Sequence, residues 1–192
     1  MKRKVLMWII AAIVAVSIVG CGNSTQNATD ATTSEFEEFR LKWAGNNGQV
    51  WNSLVFDDEM VCSVVSKNRY DKDTAAVFAK LIVGLFKPEA GVMLFLSNIN
   101  CEDATYMTVT IDDSFKFPFD IQAKYGDFST APSNSTVKQL VGDAVDKFSM
   151  VMPKQNVQTL ITKLKTAKKI SIEIPIKGEV FKFEFETANT IE

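Results

Sequence analysis

The chain has 192 residues, with 21 lysines and arginines against 23 acidic residues, three cysteines and no histidine. That balance leaves no dense basic run for nucleic acid or for electrostatic docking on anionic lipid. The missing histidine excludes Ser-His-Asp and Cys-His nucleophile systems and removes the commonest metal ligand, so neither an enzyme nor a cofactor is expected.

The N-terminus opens with Met1-Lys2-Arg3-Lys4 and continues as an uncharged apolar run from Val5 to Val19. A short positive segment before ~15 apolar residues has the form of a secretory signal and is short for a membrane span. The run ends at Ile18-Val19-Gly20-Cys21, which resembles the bacterial lipobox. The resemblance implies a lipoprotein: the Cys21 thiol takes a diacylglycerol, residues 1–20 are removed, and the new amine is acylated (palmitate being the usual chain). Two or more acyl chains make a stable anchor where one is marginal. Residue 22 is glycine rather than aspartate, which by the same resemblance places the protein at the outer membrane, facing the periplasm.

Residues 21–34 are small and polar, with no large apolar side chain after the cysteine, and read as a flexible tether. Residues 35–192 remain as a single globular domain, large enough to bury a core of its own. Losing Lys2, Arg3 and Lys4 with the signal makes the mature chain more acidic. In an oxidising compartment Cys62 and Cys101 form an even pair, and a disulfide between them is the expectation, with two buried free thiols as the alternative. The bond would close a loop of about 40 residues and add ~4 kcal/mol in the chain-entropy picture.

Within the domain, Phe39, Leu41 and Trp43 alternate with Arg40 and Lys42 as a first strand, followed by an Asn46-Asn47-Gly48 turn. Val50 to Phe56 and Met60 to Val65 read as strands on either side of the acidic Asp57-Asp58-Glu59 turn. From Asp73 to Phe86 a capped, alanine-rich helix is favoured, although 81–86 also fits a buried strand. Val92 to Leu96 is a buried strand, and Met107 to Ile111 and Phe115 to Ile121 form a hairpin through Asp112-Asp113. Pro118 puts that second strand at a sheet edge or beside a bulge.

Val137, Leu140, Val141, Ala144, Val145 and Phe148 recur at helical spacing, as do Val157, Leu160, Ile161, Leu164 and Ala167. Two strands close the chain, Ile170 to Ile176 and Val180 to Thr187, joined at Lys177-Gly178. The fold class expected is α+β: an antiparallel, β-rich, sandwich-like domain with two or three helices.

Phe115, Phe117 and Phe119, with Phe181, Phe183 and Phe185, are the candidate lining of an apolar pocket; the competing reading makes them the core face of two strands. The carboxylate clusters at 57–59 and 112–113 lack calcium-loop spacing and read as solvated turns. From Cys62 onward the layout is similar to the invasion-associated locus B family of exported bacterial proteins. The shared features are the early cysteine, Val109-Thr110-Ile111-Asp112 leading into an aromatic strand, and residues 160–172 feeding Phe181-Lys182-Phe183-Glu184-Phe185. The resemblance implies a non-catalytic periplasmic or surface β-domain linked to host interaction, and it supplies no site residue. The sequence therefore leads to a non-enzymatic envelope lipoprotein, held to the membrane through Cys21 and either contacting an envelope protein or supporting the envelope. Carriage of an apolar ligand, or inhibition of a periplasmic toxin or hydrolase, are the alternatives.

Overall fold

The computed structural model describes residues 50–56, 59–72, 75–85, 90–127 and 147–191. The segments expected as signal, lipobox with Cys21 and tether, the strand expected at 39–43 and most of the helix expected at 137–148 lie outside these residues. Eleven strands and one helix are described: β1 (Asn52–Phe56), β2 (Glu59–Val65), β3 (Tyr70–Lys72), β4 (Ala75–Val77), β5 (Ala79–Leu85), β6 (Ala90–Ser97), β7 (Tyr106–Ile111), β8 (Phe115–Asp127), β9 (Lys147–Pro153), α1 (Val157–Leu164), β10 (Lys169–Ile176) and β11 (Glu179–Glu186). Nine strands make one antiparallel sheet in the order β1-β2-β5-β6-β9-β8-β7-β10-β11, while β3 and β4 pair separately.

Period-two patterning decides which face is buried. Ile170, Ile172, Ile174 and Ile176 of β10, Phe181, Phe183 and Phe185 of β11, and Met107, Val109 and Ile111 of β7 all turn to the inner face. Leu160, Ile161 and Leu164, at helical spacing on α1, join them from the open side. Each such side chain removed from water contributes roughly 1.5–3 kcal/mol.

The α+β, sandwich-like expectation is overturned. The fold is a single curled sheet, and α1 is the one helix among the described residues. The helix expected over Asp73–Phe86 is instead β4 and β5. Alanine and lysine favour a helix locally, but β5 lies between β2 and β6, with Val83 opposite both Cys62 and Val92. Strands β5, β6 and β9 are also apolar on their outer face, where Met93, Phe95, Phe148 and Met150 form a second cluster. A strand buried on both faces shows a continuous apolar run, without the alternation that would betray it. Phe148, expected at the end of a helix, lies in β9, and its ring rests over Gly126, where an added Cβ would come within 2.2 Å of it.

Pro118 sits in β8 where only β7 is alongside, since β9 takes up pairing from Ile121 onward. Its missing N–H is therefore tolerated at what is locally a sheet edge, as expected. Two hairpins turn through left-handed residues. Lys177 (φ 51°) and Gly178 (φ 86°) join β10 to β11, and Asp112 (φ 49°) and Asp113 (φ 56°) lead from β7 to β8.

The disulfide expected between Cys62 and Cys101 is absent; both thiols are buried and free. Cys62 lies on β2, opposite Val83, whereas the Cys101 N–H donates to Ser149 Oγ of β9. Strands β5 and β6 stand between β2 and β9 in the sheet, and Cys101 lies in the loop that follows β6.

The sheet curls far enough for its two edges to be held through side chains. Asn68 Nδ2 donates to the Lys182 carbonyl (2.6 Å), and the Glu184 N–H donates to Asn68 Oδ1 (2.8 Å). Tyr70 Oη donates to the Lys182 carbonyl and accepts from the Lys182 N–H, while the Lys67 N–H donates to the Glu184 carbonyl. Asn189 does the same for β1, accepting from the Trp51 N–H (2.7 Å) and donating to the Trp51 carbonyl (3.0 Å). Asparagine carries a donor and an acceptor on one planar amide, so it can stand in for a residue of a neighbouring strand.

Candidate functional site: a polar groove beside β11

The outer faces of β7, β10 and β11 carry short polar and charged side chains in cross-strand rows. Thr110, Ser171 and Glu184 make one row, and Lys169 stands opposite Glu186. Together with Lys67, Lys182 and the Asp112-Asp113 turn they border a groove of about 260 Å³. The loop from β2 builds one wall, because the Lys67 N–H and the Asn68 side-chain amide bond β11 and fix it there.

Most charges in the groove are engaged. Lys67 Nζ lies 2.7 Å from Glu186 Oε1, and Lys182 Nζ lies 2.8 Å from Glu184 Oε1. The Glu184 carboxylate holds the Lys182 pKa above its ordinary value, and Lys182 in turn lowers that of Glu184. Both pairs are solvent-exposed, so their worth lies in orientation more than in stability. Asp112 Oδ1 accepts from the backbone N–H groups of Lys168 (2.9 Å) and Lys169 (2.8 Å), which fixes the entry into β10. That carboxylate bonds backbone within the fold, in agreement with its reading as a turn residue. Ser171 Oγ is buried and has no hydrogen-bond partner.

Such a groove mixes three lysines with four carboxylates and two hydroxyls, and it suits recognition through hydrogen bonds and paired charges. Among the described residues, no three His, Cys, Asp or Glu side chains gather as metal ligands. The chain carries one Ser-x-x-Lys spacing, Ser135-Thr136-Val137-Lys138, which lies outside the described residues.

The six phenylalanines named from sequence do not come together as a pocket lining. Phe119, Phe181, Phe183 and Phe185 are core. Phe115 is half-buried beneath Lys163, whose Nζ stands 5.7 Å from the ring centroid, and only Phe117 is appreciably open, at 38%. Cys62 and Cys101 are unreactive by environment: burial raises both pKa values, that of Cys101 to about 11, against a smaller opposing effect from their serine neighbours.

Two features had no sequence signal. The Lys67–Tyr70 loop shows no periodicity, and its role depends on β11, more than a hundred residues away. Lys80 lies in a strand with its side chain buried, and burial lowers its pKa to about 7. No described helix is long and apolar enough to cross a membrane. Compared with protein-family models, with curated proteins and with solved structures, the chain finds no match.

Proposed function

We propose that this chain is a membrane-anchored, non-catalytic binding protein of the cell envelope, tethered through acyl chains on Cys21 and contacting a protein partner through its polar outer surface. The signal, the lipobox and the polar tether support the anchoring. The observation that carries the protein-contact reading is the filled inner face. Phe119, Phe183 and Phe185 are fully buried there with Leu160 and Leu164, in the place an acyl chain would need. The groove beside β11 offers a partner paired charges and hydroxyls. Of the six phenylalanines named from sequence, Phe117 is the one open enough to support the apolar-ligand reading.

The test is affinity capture of the full-length protein from its own envelope, with proteins and lipids both identified. A parallel capture uses the Lys67→Glu/Lys182→Glu variant. A stoichiometric protein held by the parent and lost by the variant supports the proposal. Bound lipid without protein, or a reproducible transferase or hydrolase activity, overturns it.

A further inference from the structure

The donors and acceptors of the groove are unevenly matched. Glu186 is paired with Lys67 and Glu184 with Lys182, while Asp112 Oδ1 accepts from two backbone N–H groups. On the floor the balance runs the other way. Ser171 Oγ of β10 is buried and has no hydrogen-bond partner. A hydroxyl in that state has given up water without replacing it, which folded proteins rarely leave uncorrected. Lys169 lies two residues earlier on β10, hence on the same face and roughly 7 Å away. It stands opposite Glu186, whose carboxylate Lys67 holds at 2.7 Å, and among the described residues Lys169 Nζ has no ion pair. Thr110 of β7, opposite Ser171, brings a second hydroxyl beside it.

An unsatisfied hydroxyl and an uncompensated ammonium on one strand face call for an acceptor with two oxygens. A carboxylate has that form, and charge-assisted bonds to it are about twice as strong as neutral ones. The flexible stem of lysine lets its ammonium swing toward Ser171. The charge of the groove narrows the choice further. Three lysines against four carboxylates leave it one charge negative, so a doubly charged phosphate is opposed more strongly than a singly charged carboxylate. We infer that the groove takes the carboxylate of an acidic side chain of the partner, one oxygen accepting from Ser171 Oγ and the other from Lys169 Nζ. The inference rests on the protein-contact reading above and names the group through which the partner enters.

Titration of the full-length chain in detergent with N-acetylglutamate amide, followed by the amide chemical shifts of Lys169 and Ser171, tests it. A saturable shift is expected, with a dissociation constant on the order of 1–10 mM for so small a probe. The glutamine analogue and inorganic phosphate are the comparisons, and both are expected to bind at least several-fold more weakly. Lys169→Met is expected to weaken the glutamate probe about tenfold. Should that variant unfold the chain, Lys169→Gln is read in its place. Ser171→Ala is expected to weaken the probe several-fold while leaving the urea midpoint of the free protein unchanged or higher, because no bond is lost with the hydroxyl.

Equal shifts with the glutamine analogue overturn the inference, since a neutral carbonyl would then be the occupant. Tighter binding of phosphate overturns it as well, as does the absence of a saturable shift at tenfold the expected concentration. A lowered urea midpoint for Ser171→Ala would mean that the hydroxyl already has a partner in the free protein, and it counts against the inference too. Failure here is separable from failure of the protein-contact reading. The capture experiment above alters Lys67 and Lys182 and leaves Lys169 and Ser171 in place, so it can succeed when this titration fails.

Discussion

Replacing Asn68 by alanine removes both hydrogen bonds by which its side chain holds β11, the 2.6 Å bond to the Lys182 carbonyl and the 2.8 Å bond from the Glu184 N–H. A net hydrogen bond contributes about 0.5–1.5 kcal/mol, and water can replace part of it at this exposed position. The expected loss for the pair is therefore ~1–2 kcal/mol, a factor of roughly 5–30 in the folded-to-unfolded ratio. Asn68→Asp separates the two contributions: it keeps an acceptor for Glu184 and loses the donor to Lys182, so about half the loss is expected. Urea titration measures the total. Exchange of the Glu184 amide localises it, because that N–H has Asn68 Oδ1 as its partner. If Asn68→Ala left both the urea midpoint and the Glu184 exchange rate unchanged, side-chain closure of the β11 edge would be the wrong account of how the curled sheet is held.

Lys80 makes stability depend on pH. Its folded pKa is lowered from 10.5 to about 7 by burial, so between those values the unfolded chain binds a proton the folded chain has released. Stability should rise with pH across that window. Lys80→Met should lose this pH dependence, so that the difference between the two proteins changes as the pH rises from 7 to 10.5; parallel stability curves for the two proteins would contradict this. Cys62 and Cys101, buried with raised pKa values, should resist alkylation in the native chain and react only on unfolding. Mass spectrometry of unreduced peptides checks this directly, and a Cys62–Cys101 bridged peptide would count against the arrangement described.

How much was legible beforehand divides along local and non-local physics. The hairpin of β7 and β8, the pair β10 and β11, and α1 were readable because one face of each is buried and the other wet, which writes period two or 3.6 into the residues. The Lys177-Gly178 and Asp112-Asp113 turns were readable because few residue types accept a left-handed backbone. The groove was half-visible: its Asp112-Asp113 turn showed, but nothing announced that Lys67 would stand 2.7 Å from Glu186.

By itself, then, the sequence determined the elements with a one-sided environment, and it supplied the signal and lipobox pattern on which the anchoring proposal rests. Tertiary structure alone decided that residues 79–85 are a strand, since their burial on two faces erases periodicity and their partners β2 and β6 override the local helical preference. It also decided that Cys62 and Cys101 are buried as free thiols, one on β2 and the other bonded through its N–H to Ser149 of β9, a placement that no local pattern encodes. The closure of the β11 edge by Asn68 belongs to the same class: a side-chain amide acquires that role only when curvature brings a distant backbone within hydrogen-bonding reach.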